Sequence, residues 1–263
     1  IGPHQPPYIV AELSCNHGGS REKAKRLIRA AREAGADAVK LQTYRPDELT
    51  TPEHPELWAL YEKAQTPREW HRELFDYAHE IGITIFSSAF SIEGVNFLQE
   101  LGAPAIKIAS AEIGNRDLML LVNGPLIIST GMASDIDKRW LGDFAFHRGA
   151  QWGDNPEIVL LHCVAQYPSR IEDANLRAMQ SLQLDTGLPI GLSDHTPGYE
   201  TAIAATALGA VMIEKHFKLD DDCIDAAYSL NPVDFAAMCK AVRAIWHGMG
   251  DGVIRPTCEP RKR

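Results

Sequence analysis

Two histidines, two lysines and a set of hydroxyls stand where this chain could do chemistry. His195 and His216 each follow a short apolar run, residues 190–192 and 211–213, and the stretch between reads as a small-residue helix over 200–208 closed by Gly209. Imidazoles at the carboxyl ends of consecutive parallel strands lie on one side of the sheet, the side where α/β proteins keep their chemistry. Neutral imidazole is a good ligand for Mn, Fe, Co or Zn. A lone strand-end histidine is more often an ordinary hydrogen-bonded residue, but two such ends, with Asp194 and Glu214 beside them, favour a metal. Two nitrogen ligands leave positions open, as in a catalytic centre. Imidazole titrates near ~6.5, so metal affinity is expected to weaken below about pH 6.

Lys40 and Lys107 sit inside the apolar runs VKLQ and IKIA. A lysine so placed carries a desolvation cost of several kcal/mol unless an anion meets it. Ser87, Ser110, Ser129 and Ser193 add hydroxyls at strand ends, and cations with hydroxyls make a phosphate or carboxylate pocket. The rival use is a Schiff-base lysine, which would make the chain an aldolase. Glu12, ending the first apolar run, could supply oxygen to a metal or act as acid and base; Asn16, His17 and His162 are further candidates for the site.

The elements that must position these residues repeat one unit. Short apolar runs at 8–11, 38–41, 84–86, 105–108, 126–128, 158–161, 190–192 and 211–213 read as strands buried on both faces. Helices are predicted over 20–34 with Ser20 as N-cap and Gly35 as stop, 68–81 after Pro67, 94–101, 200–208 and 232–246. The segment carrying Pro46, Pro52 and Pro55 reads as a long loop, and 140–154 is poorly patterned. Eight units of roughly 30 residues match the ~250-residue size of a (β/α)8 barrel. A doubly wound sheet is the runner-up, but no GxGxxG follows the first strand. The barrel is expected over 1–249 and a linker over 250–263.

With 263 residues, 45% hydrophobic and 23% charged, the composition is that of an ordinary globule. The net charge of -9 argues against general nucleic-acid or membrane-surface binding, though not against a local basic pocket. No apolar run approaches the ~18 residues of a membrane span and no secretory signal opens the chain. Five widely spaced cysteines without CxxC read as free thiols in a reducing cytoplasm.

The segments AELSCNHGGS, VKLQTY, FSSAF, IKIASAEI, IISTGMA, LLHCVAQYP, GLSDHTPGYE and IEKHF resemble, in order and spacing over nearly the whole chain, the sialic acid synthase family. Within it, KLQTYRPDELT, YEKAQTP and GLSDHTPG are most similar to the pseudaminic acid synthase branch and the related spore-coat polysaccharide proteins. The resemblance implies a (β/α)8 TIM barrel, a divalent metal (Mn or Mg) and a homodimer. It implies condensation of phosphoenolpyruvate with an open-chain N-acetylated amino sugar, giving a nonulosonic 2-keto acid and phosphate. Carried over, it makes His195 and His216 the metal ligands and puts Glu12 near the reacting carbons. Lys40, Lys107, Ser110, Ser129 and Ser193 would bind phosphoenolpyruvate, and Gln42, Glu112, Tyr167 and Asp225 would line the sugar side. Glu12, Lys40, Lys107 and Glu112 are the expected catalytic set. The family usually continues into an antifreeze-like domain that brings an arginine to the partner's site; this sequence is expected to lack that domain. The family's Gly-Pro-Asp reads Cys223-Ile224-Asp225 here, an asparagine is replaced by Ala165, and a proline by Ala89. A natural truncation would favour a non-catalytic sugar-phosphate binding barrel.

Overall fold

The structure, a computed structural model, describes residues 1–2, 4–152 and 157–253. Eight parallel strands close into a barrel in sequence order: β1 (Tyr8–Glu12), β2 (Ala38–Thr43), β3 (Thr84–Ala89), β4 (Ile106–Ile108), β5 (Leu126–Ser129), β6 (Ile158–His162), β7 (Ile190–Asp194) and β8 (Met212–His216). Closure is by β1 on β8, with Glu12 opposite His216. The open-sheet alternative is thereby excluded. Around the barrel run α1 (Arg21–Glu33), α2 (Pro46–Leu49), α3 (Pro55–Ala64), α4 (Arg68–Ile81), α5 (Ile92–Leu101), α6 (Arg116–Leu121), α7 (Asp135–Trp152), α8 (Ala178–Thr186), α9 (Glu200–Ala207) and α10 (Pro232–Met249). No described helix is long and apolar enough to cross a membrane.

The caps follow from the sequence. Ser20 Oγ accepts the Lys23 N–H at the start of α1, and Asn231 accepts from Val233 and Asp234 at the start of α10. Two expectations need correction. The proline-marked loop holds two helices, α2 and α3, because Pro46 and Pro55 sit in their first turns, where a missing N–H costs nothing. Of the poorly patterned stretch, residues 153–154 lie outside the described residues and 140–152 belong to α7. Its inward face is Leu141, Phe144 and Ala145, while Ile136 and Phe146 are exposed on the same helix and blur the apolar stripe.

Strand alternation sorts the side chains into two cores. Ile9, Ala11, Val39, Leu41, Ile106, Ile108, Leu126, Ile128, Leu192 and Ile213 face the helices. Val10, Ala38, Phe86, Ile127, Val159, Leu161 and Met212 fill the barrel interior as an apolar floor. Gly191 belongs to this floor by necessity, since a Cβ there would lie 2.5 Å from the Met212 carbonyl and 2.7 Å from Leu161 Cδ2. One inward position further towards the carboxyl end, seven of the eight strands turn polar, at Glu12, Lys40, Ser88, Lys107, Ser129, Ser193 and Glu214, while β6 is followed by Cys163. The four described cysteines Cys15, Cys163, Cys223 and Cys239 are free thiols; Cys258 and most of the expected linker lie outside the described residues.

Candidate active site

Above the apolar floor, a cavity of about 570 Å³ opens at the carboxyl ends of the strands. Its deepest polar layer is a buried cluster of two lysines and two glutamates. Lys40 Nζ lies 2.5 Å from Glu12 Oε2 and 3.5 Å from Glu214 Oε2, and it donates to Ser88 Oγ at 3.0 Å. Lys107 Nζ donates to Glu214 Oε1 at 2.8 Å, and the same oxygen accepts the Ser193 hydroxyl at 2.9 Å. Lys40, Lys107, Glu12 and Glu214 are each at most 5% exposed. The desolvation cost of each lysine is therefore offset within the protein, and the cluster is neutral as a whole.

Burial acts differently on the two lysines. At Lys40 it opposes the ammonium, but Glu12 and Glu214 outweigh it and hold the pKa above the ordinary lysine value. At Lys107 burial prevails over Glu214, with Lys40 adding repulsion, and the pKa is lowered. Glu214, against its burial, is held well below the carboxylate range by Lys107 and Lys40.

The second half of the cavity holds the histidines, with ring centroids 5.5 Å apart. His195 Nδ1 is 2.8 Å from the Val164 carbonyl, which can only accept, so Nδ1 carries the proton and Nε2 keeps its lone pair. His216 Nδ1 is 2.9 Å from Asp225 Oδ2, and the carboxylate imposes the same tautomer. Ser193 stands 3.4 Å from His195 Nε2, but its proton is directed to Glu214. Burial, with His216 nearby, lowers the His195 pKa to about 3. For that ring, the loss of the ligand form expected near pH 6 moves to more acid values. Among the described residues no group of three or more His, Cys, Asp or Glu side chains could hold a metal. The donor set fits a cation that takes two imidazole nitrogens and fills its other positions from solvent or substrate.

Of the other expected residues, Ser110 and Ser129 line the cavity. Ser110 Oγ accepts the Gly131 N–H and meets Cys163 Sγ. Ser129 Oγ is buried with no hydrogen-bond partner, an atom that a ligand would satisfy. Gln42 donates to Glu12 Oε1 at 3.3 Å, and the Tyr167 ring lies 4.3 Å from that of His195. Asp225 lines the cavity, but its carboxylate is committed to His216 and to the Tyr228 hydroxyl, so it acts first to orient the His216 ring. Glu112 departs from expectation. It ends a short 3-10 turn, Ser110–Glu112, accepts from Asn115 at 3.3 Å, and is not among the cavity-lining residues.

Strand parity corrects several candidates. Ser87 faces the helices and bonds to Thr43 at 2.7 Å, while Ser88 faces the barrel. Asp194 likewise faces outward, paired with Lys215 at 3.0 Å, and Glu214 serves the lysines, so neither stands beside the histidine nitrogens as a metal oxygen. His17 bonds to Thr66 and Gly19, Asn16 to Phe217 and Ser229, and His162 to Ala174; these hold loops. Missed altogether were Ser88 and Tyr228. The signal for Ser88 and for the role of Glu214 is period two, counted from Lys40's inward neighbours and back from His216.

A family model described as the NeuB family matches residues 27–254. The chain belongs to the NeuB family. It is 41% identical to a pseudaminic acid synthase of Campylobacter jejuni and 42% identical to one of Helicobacter pylori, in each case over 94% of this chain and 76% of the relative. Among solved structures it superposes on an N-acetylneuraminic acid (sialic acid) synthetase of Leptospira borgpetersenii with a TM-score of 0.86 at 31% identity, covering 97% of this chain and 88% of that one. Family membership bears out the resemblance read from the motifs, and the superposition accords with the closed eight-stranded barrel.

Proposed function

We propose that this chain condenses phosphoenolpyruvate with an open-chain N-acetylated amino sugar, in a metal-dependent reaction that yields a nonulosonic 2-keto acid and phosphate. The observation that carries the reading is the division of one cavity into two halves. One offers two ammonium groups and an unpartnered buried hydroxyl, Ser129 Oγ. The other offers two imidazoles with free Nε2 lone pairs.

In this reading Lys40, Lys107, Ser110, Ser129 and Ser193 hold the carboxylate and phosphate of phosphoenolpyruvate. Lys40 already meets Glu12, Glu214 and Ser88, whereas Lys107 directs one of its three N–H donors to Glu214, so the substrate anion is met first by Lys107. A divalent metal, Mn or Mg, held by His195 and His216 would supply Lewis acidity towards the sugar carbonyl. The cavity walls set the phosphoenolpyruvate methylene against that carbonyl carbon, and the new C–C bond forms between them. Water adds to the resulting cationic centre, and phosphate leaves by C–O cleavage. Glu12, beside Lys40 and Gln42, is placed to move a proton near the reacting carbons. Tyr167, Gln42 and Ala165 border the sugar side. The resemblance also carries a homodimer, and the free cysteines support a cytoplasmic location.

Phosphate release is expected only when phosphoenolpyruvate, a suitable amino sugar and divalent metal are all present, and chelator should abolish it. Protein that binds neither metal nor phosphoenolpyruvate would sink the proposal. The lowered pKa of Lys107 favours one second reading, a Schiff-base aldolase. Borohydride trapping of a substrate adduct at Lys107, unaffected by chelator, would support it.

A further inference from the structure

Outside the barrel, behind the histidines, lies a buried charge pair that the proposed reaction does not use. Lys215 is 0% exposed and Asp194 3%. Lys215 Nζ donates to Asp194 Oδ2 at 3.0 Å and to the Thr196 carbonyl. The other carboxylate oxygen, Asp194 Oδ1, accepts the Thr196 N–H at 2.9 Å and the Thr196 hydroxyl at 2.8 Å. Thr196 Oγ1 in turn lies 3.1 Å from Thr201 Oγ1 in α9.

The placement matters more than the charges. Asp194 and Thr196 flank His195, and Lys215 immediately precedes His216. One ammonium therefore ties the residue before and the residue after one histidine to the residue before the other. Ladder pairing of β7 with β8 ends at Asp194–Lys215, so the histidines lie where the ladder no longer fixes their separation. Beyond that point His195 is held on the β6 side, its carbonyl accepting the Ser169 N–H at 2.9 Å and its Nδ1 donating to the Val164 carbonyl at 2.8 Å, and the tie towards β8 runs through Lys215.

We propose that Lys215, through Asp194 and Thr196, is a positioning residue that sets the spacing of His195 and His216. The inference rests on the proposed function only for its consequence, metal affinity; the positioning itself is a property of the rings. A buried charge pair ordinarily gives no more stability than a well-packed apolar substitute. What the pair adds here is geometric, because an apolar side chain could fill the space but could not hold the Thr196 carbonyl and the Asp194 carboxylate together.

The test uses the 263-residue chain and two variants, Lys215→Met and the double variant Asp194→Asn/Lys215→Met, which removes the stranded carboxylate charge. Three readouts are taken: thermal midpoint, Mn²⁺ affinity, and the imidazole nitrogen NMR signals of His195 and His216. Lys215→Met is expected to lower the midpoint, and the double variant to recover much of it. Mn²⁺ affinity should stay 10–100-fold weaker in both, the range typical of lost outer-sphere support, and the imidazole signals should shift or broaden in both. If the double variant regains the wild-type Mn²⁺ affinity and imidazole spectrum along with its midpoint, the pair is only a packing element and the inference fails. If the wild-type chain binds no Mn²⁺, the proposed function fails instead, and unchanged imidazole spectra in the variants would still overturn the positioning role.

Discussion

At His216 a single hydrogen bond decides which nitrogen can serve as a ligand. Asp225 Oδ2 accepts the hydrogen bond from Nδ1–H, and the Tyr228 hydroxyl donates to the other carboxylate oxygen. Asp225→Ala is therefore expected to weaken Mn²⁺ binding about 10–100-fold without unfolding the barrel, measurable by calorimetric titration. His195→Ala/His216→Ala should abolish that binding; retention would refute the ligand assignment. A second residue-scale prediction concerns acid. His17, His71 and His195 are lowered by burial to about 4, about 4 and about 3. The unfolded chain takes up protons at these residues near pH ~6.5 while the folded chain does not. Their contribution to stability is thus full above that pH and declines as pH falls towards the folded values. Urea unfolding should show stability dropping between about pH 6.5 and pH 5, above the carboxylate range; a flat profile there would contradict neutral burial of these rings.

At the scale of elements, alternation along each strand decides what a residue can do. Ser87 and Ser88 are chemically identical, yet one faces Thr43 and the helices and the other faces Lys40. The short runs located the strands well, because strands buried on both faces are apolar almost throughout. That same uniformity hid the parity, since no polar face marked which side was inward. Gly191 shows how tightly the inward face is filled. Gly191→Ala brings a Cβ to 2.5 Å from the Met212 carbonyl and should destabilise by about 1–3 kcal/mol in urea titration. At the start of α1, Ser20→Ala removes the acceptor for the Lys23 N–H and should cost about 1 kcal/mol by the same measurement.

For the whole molecule, the last helix closes the ring and supports the site from behind. Phe235 of α10 is fully buried, and its ring lies 5.2 Å from that of Phe217, the residue after His216. Phe235→Ala is expected to lower stability by about 3–5 kcal/mol, and a loss below 1 kcal/mol by chemical denaturation would contradict that packing. The sequence by itself determined the (β/α)8 barrel, most strand positions, and, among the cavity residues, Lys40, Lys107, His195, His216 and the serines Ser110, Ser129 and Ser193. Those features depend on local pattern and on motifs carried in order along the chain. It did not determine that Glu214 would neutralise the lysines, that Asp225 would orient His216, or that Glu112 would turn to Asn115. Nor could it show that Lys215 and Asp194 would meet behind the site. Partners of a charged side chain are chosen by which strands the barrel brings side by side and which way each side chain faces. Both are fixed only when the sheet closes.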